Sequence, residues 1–315
     1  NPSPLGGTVL GAGVMVREPV GVVSAITPYN FPHYLNVGKA FQALAAGCTV
    51  VLKPSPYTPF EALMMAEAAE EAGLPPGVFN VVTGGIDVGE MLTTDSRVDI
   101  VSFTGSDTVG ALIQAQAAPT LKRVLLELGG KSPLIVCEDA NLDIAAQSGL
   151  GGFTFQAGQG CALLTRHLVH NAVRDEYVSK LTAMAQALKV GNPADPSVTM
   201  GPLIRESQRK RTEDYVSIAL DEGARLATGG RRPEGLDKGY FYQPTLFVDV
   251  KNDMRIAQEE VFGPVGVVIG FDTEEEAIQL ANDSQFGLGG GVVSADTGRA
   301  FQIAQRLRTG KVDIN

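Results

Sequence analysis

From Val20 onward, short apolar runs alternate with segments of helical spacing, and this rhythm limits the possible folds more than any other feature. Residues 20–26, 49–52, 78–82, 100–103 and 123–126 read as strands. Between them, helices are predicted over 33–46, ending at Gly47, and over 58–71, stopped by Gly73. A short helix is predicted over 88–92 and a longer one over 107–117. Such alternation implies a parallel sheet with helices on both faces. A second series follows. Its strands fall at 133–136, 168–170, 246–250 and 265–269, and its helices at 142–155, 173–188, 206–222, 274–282 and 297–307. The predicted class is α/β with two domains, 20–129 and 130–315, meeting at Gly129-Gly130. Residues 1–19 read as a hairpin turned at Gly11-Ala-Gly13, with no core of its own. The chain opens without Met and closes on the strand-like Val312-Asp-Ile-Asn315, so it reads as a piece of a longer protein.

Composition narrows the function classes. The 315 residues suffice for two ordinary domains and a large core. A formal net charge of −10 argues against nucleic acid or an anionic membrane as partner. No apolar run reaches bilayer length, and no signal peptide is evident. Three cysteines without a C-x-x-C pair indicate a reducing compartment, read here as the cytoplasm. Three scattered histidines, His33, His167 and His170, argue against a His-based zinc site, and no metal is expected.

The unusual residues fall where a parallel α/β sheet binds ligands, beyond the carboxyl ends of its strands. There the first series places Thr27-Pro-Tyr-Asn30, Lys53-Pro54, Thr83-Gly-Gly85, Thr104-Gly-Ser106 and Glu127. Gly105 and Ser106 open a helix, where free N–H groups attract anions, although on their own they are explained more simply as an ordinary Ser/Asp cap. Lys53 can reach a ribose or phosphate, or simply extend to water. Asn30, fixed between aromatic residues and prolines, can donate to an oxyanion or merely begin a turn. Cys161, in Gln156-Ala-Gly-Gln-Gly-Cys161, has little side-chain bulk before it; Cys48 and Cys137 read as core residues. Glu127 is expected at the end of a buried strand, where a carboxylate is costly unless used. Thiol and carboxylate together suggest acyl chemistry.

Taken in order, these stretches resemble the aldehyde dehydrogenase superfamily. The matches are Ile26-Thr-Pro-Tyr-Asn-Phe-Pro32, Val51-Leu-Lys-Pro-Ser55, Phe103-Thr-Gly-Ser106, Leu126-Glu-Leu-Gly-Gly-Lys131, Gly158-Gln-Gly-Cys161 and Glu259-Glu-Val-Phe-Gly-Pro264. The resemblance implies a Rossmann-like cofactor domain, a second α/β catalytic domain, and residues 1–19 as an oligomerisation segment of a homodimer or homotetramer. It implies oxidation of an aldehyde to an acid through a cysteine thiohemiacetal and thioester. Cys161 then corresponds to the nucleophile, Glu127 to the general base, Asn30 to the oxyanion-binding amide and Lys39 to a proton-relay lysine. Ile26, Thr27, Lys53, Gly105, Ser106, Gly110, Glu260 and Phe262 correspond to the cofactor site for NAD. Tyr29 stands where Trp is frequent. Pro56 replaces a Glu that disfavours NADP, which leaves NADP open. Gly38 replaces a bulkier tunnel residue. Glu127 argues against a coenzyme-A-acylating member, and an inert protein of the same fold is the rival from another class.

Overall fold

The computed structural model describes residues 13–315, which divide into two compact units at Glu127/Leu128. The first unit carries β1 (Val22–Ile26), α1 (Pro32–Ala45), β2 (Thr49–Lys53), α2 (Phe60–Glu71), β3 (Phe79–Val81), α3 (Ile86–Thr94), β4 (Ile100–Thr104), α4 (Asp107–Ala117) and β5 (Arg123–Glu127). Its strands are all parallel, in the order β3-β2-β1-β4-β5. This is the order of a dinucleotide-binding half, and it reverses direction between β1 and β4. Val23, Ala25, Val50 and Leu52 of the central strands pack with Ala40, Ala62 and Met65 of the helices. Pro32 starts α1 at its first turn, where its missing N–H costs nothing.

The second unit carries β6 (Pro133–Val136), α5 (Leu142–Thr154), β7 (Arg166–His170), α6 (Arg174–Ala187), α7 (Glu206–Asp221), β8 (Arg225–Thr228), β9 (Thr245–Val248) and α8 (Arg255–Gln258). It continues with β10 (Val265–Phe271), α9 (Glu274–Asn282), β11 (Gly289–Val293), α10 (Thr297–Ala304) and β12 (Lys311–Ile314). The sheet order is β12-β11-β6-β7-β10-β9-β8, parallel except for β8 against β9. Both faces are buried, because successive residues point to opposite sides. Leu134, Val136, Val169 and Val268 pack under α5 and α6. Ile135, Leu168, Val267 and Ile269 pack under α7, α9 and α10.

Several elements depart from the sequence expectations. β8, α8 and β11 have no counterpart among them. β11 begins Gly-Gly-Gly, a composition that disfavours strands, yet it lies inside the sheet between β12 and β6. Tight packing explains the glycines: a Cβ on Gly291 would stand 3.0 and 3.1 Å from Leu164 and Leu134. Of the expected hairpin over residues 1–19, residues 1–12 lie outside the described residues, and Val14–Val16 are exposed.

Arg166 and His167 of β7 sit in the interior. Arg166 is fully buried and donates to the carbonyls of Leu280 and Ala281, each at 2.8 Å, closing the C-terminus of α9. His167 bonds to the Leu164 carbonyl through Nε2 at 2.8 Å and to Tyr177 Oη through Nδ1 at 3.0 Å. Both bonds suit a neutral ring with its proton on Nε2, and burial holds its pKa down at about 4. The unfolded chain protonates this ring near pH 6.5, so it binds more protons there than the folded chain. Stability is therefore expected to fall as pH drops from about 6.5 to about 4, by roughly 1.4 kcal/mol per pH unit from this group. Denaturant melts across that window check it; His167→Gln flattens the slope.

Candidate active site

In the first unit, the carboxyl ends of β1, β2 and β4 gather the predicted polar groups. Ile26 ends β1 and pairs with Phe103 and Lys53 on its two neighbours. The Thr27 amide donates to the Lys53 carbonyl at 3.1 Å, and Thr27 Oγ1 donates to Asn36 Oδ1 at 2.6 Å. Asn30 follows in the turn before α1 and is 9 % exposed. Lys53 is buried; burial lowers its pKa, and the Asp87 charge partly offsets this. Ser106 Oγ caps α4 by accepting from the Val109 amide at 3.4 Å. Gly110 is buried one turn further on, its amide bonded to the Ser106 carbonyl. Gly105 has an internal reason to be glycine, since a Cβ there would run into the Phe103 ring. Its amide closes onto the Glu127 carbonyl at 3.0 Å.

Glu127 requires a correction. It ends β5, which is an edge strand whose side chains alternate between exposed and half-buried, and Glu127 itself is exposed. The apolar run Val124–Leu126 suggests burial, but edge position is a property of strand order and has no local signature. Lys39 lies within electrostatic reach. It donates to Ser102 Oγ at 3.0 Å, and burial lowers its pKa to about 8 against the opposing pull of the Glu127 charge.

In the second unit, Cys161 is half-buried and follows a strained turn. Gln156 and Ala157 have φ of 49° and 55°, and Gly158 has 74°. Two side-chain-bearing residues in the left-handed region cost about 1–2 kcal/mol each, so the surrounding packing must hold them. Gly158 fits because a Cβ there would strike the Gly263 carbonyl. Gln159 secures the turn, donating to the Gln156 carbonyl and accepting from the Ile204 amide.

The Cys161 carbonyl abuts Gly130 so closely that any Cβ at Gly130 is excluded. The Gly130 amide donates to Glu260 Oε1 at 3.1 Å. A Cβ on Gly129 would lie 2.6 Å from Glu260 Oε2. Cys161, Gly129-Gly130 and Glu260 thus form one cluster inside this unit. Phe262, two residues beyond Glu260, has φ of 59°. Sequence reasoning missed Lys131, which is buried, with its pKa lowered to about 7 by burial and by Arg166. Its place beside Gly130 was the available signal. Among the described residues, no group of three or more His, Cys, Asp or Glu is placed to hold a metal ion, and no helix is long and apolar enough to cross a membrane.

The first unit thus carries a dinucleotide-type half sheet, and the second sets the Cys161 backbone against Gly130. The aldehyde dehydrogenase family model matches residues 10–315, and the chain belongs to that family. The peroxisomal aminoaldehyde dehydrogenase 1 of Pisum sativum is 45% identical over 302 residues, covering 96% of this chain and 60% of that protein. The betaine aldehyde dehydrogenase of Bacillus subtilis is 45% identical over 304 residues, covering 96% and 62%. The Mycobacterium tuberculosis aldehyde dehydrogenase, solved with NAD+, superposes with a TM-score of 0.91 at 50% identity, covering 95% of this chain and 62% of that one. The Staphylococcus aureus betaine aldehyde dehydrogenase, also solved with NAD+, gives 0.93 at 44% identity, covering 94% and 59%. The chain therefore spans about three-fifths of the length of these relatives.

Proposed function

We propose that this chain belongs to an enzyme that oxidises an aldehyde to a carboxylic acid with NAD or NADP. The observation that carries the reading is the cluster on Gly130, where the backbone of the thiol and the carboxylate of Glu260 meet one peptide.

The residues present fit a dinucleotide. Thr104 Oγ1 and Ser24 Oγ, on the two strands flanking the reversal of strand order, are buried without hydrogen-bond partners. Lys53 and Glu260 would hold the two riboses; Ile26, Thr27, Gly105, Ser106 and Gly110 would line the diphosphate side, and Phe262 the nicotinamide side. When bound, the dinucleotide supplies a hydride acceptor. The Cys161 thiolate attacks the aldehyde carbon to form a thiohemiacetal. The Asn30 amide and the Cys161 amide hold the oxyanion; one such donor is typically worth about 3–4 kcal/mol. Loss of hydride leaves a thioester on Cys161. Glu127 takes a proton from water, which attacks the thioester and releases the acid. Lys39, bonded to Ser102, relays protons beside Glu127.

Homodimeric or homotetrameric assembly and a cytoplasmic location belong to the same proposal; relatives include peroxisomal and chloroplastic enzymes. The test is acid formation from an aldehyde panel headed by aminoaldehydes, betaine aldehyde and a semialdehyde, the chemistries that relatives are named for. NAD and NADP are compared, each with and without coenzyme A. Acid formed with either dinucleotide and no coenzyme A is expected. Acyl-coenzyme A as sole product, or no reduced dinucleotide with any aldehyde, overturns the reading.

A further inference from the structure

One face of α7 grips the segment that presents Glu260 and Phe262. Gln208, Arg211, Thr212 and Tyr215 recur at helical spacing and so lie on one side of the helix. Gln208 Nε2 donates to the carbonyls of Val261 at 3.0 Å and Phe262 at 2.7 Å. Arg211 donates through Nη2 to the Glu260 carbonyl at 2.7 Å and through Nε to the Val261 carbonyl at 3.3 Å. Tyr215 Oη donates to Glu259 Oε2 at 2.5 Å, and the Arg211 guanidinium lies 4.9 Å over the Tyr215 ring. Thr212 stands where a Cβ on Gly263 would be.

The pattern has a physical purpose at Phe262. Its φ of 59° is disfavoured for any residue with a Cβ, so neighbouring contacts must impose it. The two carbonyls taken by Gln208 belong to the peptide planes on either side of the Phe262 Cα. Fixing both planes fixes φ and ψ, and hence the direction of the ring. Arg211 holds the next carbonyl back, that of Glu260, next to the Cα whose side chain accepts from the Gly130 amide.

We infer that Gln208 and Arg211 are positioning residues for the cofactor, setting the Glu260 carboxylate and the Phe262 ring before a dinucleotide arrives. This rests on the roles proposed for Glu260 and Phe262. Gln208 is buried and Arg211 exposed, so the two can be altered with different risks to folding.

The test uses Gln208→Met, Arg211→Met, Arg211→Lys and Glu260→Gln beside the unaltered chain. NAD+ affinity is measured by calorimetric titration, and exchange of the Gly130 amide is followed without dinucleotide. Gln208→Met is expected to raise Kd about tenfold, the effect of losing one or two net hydrogen bonds. Arg211→Met should raise it by roughly threefold to tenfold, and Arg211→Lys should restore most of the loss by keeping a donor to the Glu260 carbonyl. In both Met variants the Gly130 amide should exchange faster. Melting temperatures that fall while Kd and Gly130 exchange stay unchanged show mere structural support and overturn the inference. Gln208→Met and Arg211→Met within twofold of the unaltered Kd, with Glu260→Gln weakened, overturn the clamp and leave the proposed function standing. No NAD+ binding by the unaltered chain removes both.

Discussion

Cys161→Ala is expected to lower kcat for aldehyde oxidation by at least about 10⁴-fold, the scale seen when a nucleophile is removed. Dinucleotide affinity should stay within about twofold, because the proposed ribose and diphosphate contacts come from other side chains. No other thiol can substitute. Cys48 and Cys137 are buried, and burial pushes Cys137 up to about 11. At neutral pH such a thiol is ionised in only about one molecule in ten thousand. Iodoacetamide should therefore modify one cysteine rapidly in the folded chain and none in the variant. Turnover retained by Cys161→Ala would contradict the assigned chemistry outright.

Glu127→Gln is expected to separate the two halves of the reaction. Attack by Cys161 and loss of hydride do not require a base at Glu127, whereas hydrolysis does. Steady-state turnover should fall by about 10²–10⁴-fold, the usual worth of a general base. Reduced dinucleotide should appear as a burst near one equivalent, followed by a slow phase. The exposed position of Glu127 on β5 suits this role, since a base that activates water must be reached by water. The substitution also removes the charge that raises the Lys39 pKa, so that pKa should drop further below about 8. A pH–rate profile of the slow phase reads this second effect. Undiminished steady-state turnover would remove Glu127 from the mechanism.

What was legible in the sequence follows the range of the forces involved. Strands β1 to β5 and their helices announce themselves because each apolar run, cap and Gly stop is local. The clustering of Thr27, Asn30, Lys53 and Ser106 at strand ends follows from parallel topology alone. Strand order is not local, so the edge position of β5, and with it the exposure of Glu127, has no signature in the sequence around it. β11 escaped because its glycines answer to packing against Leu134 and Leu164 and not to strand propensity. The face of α7 was invisible for another reason. Glu206-Ser-Gln-Arg-Lys-Arg reads as a solvated charged helix, and only the carbonyls it meets distinguish Gln208 and Arg211 from their neighbours. Arg166 and His167 likewise look out of place in a strand until the end of α9 and the Tyr177 hydroxyl supply their partners.

The account stands most directly on the chemical state of one sulfur atom. Glu127→Gln protein mixed with aldehyde and NAD+, quenched in acid and digested, should yield the Cys161 peptide heavier by one acyl group, with that label absent when the dinucleotide is withheld. An unmodified Cys161 peptide alongside a burst of reduced dinucleotide, or an acyl group carried on any other residue, would contradict it.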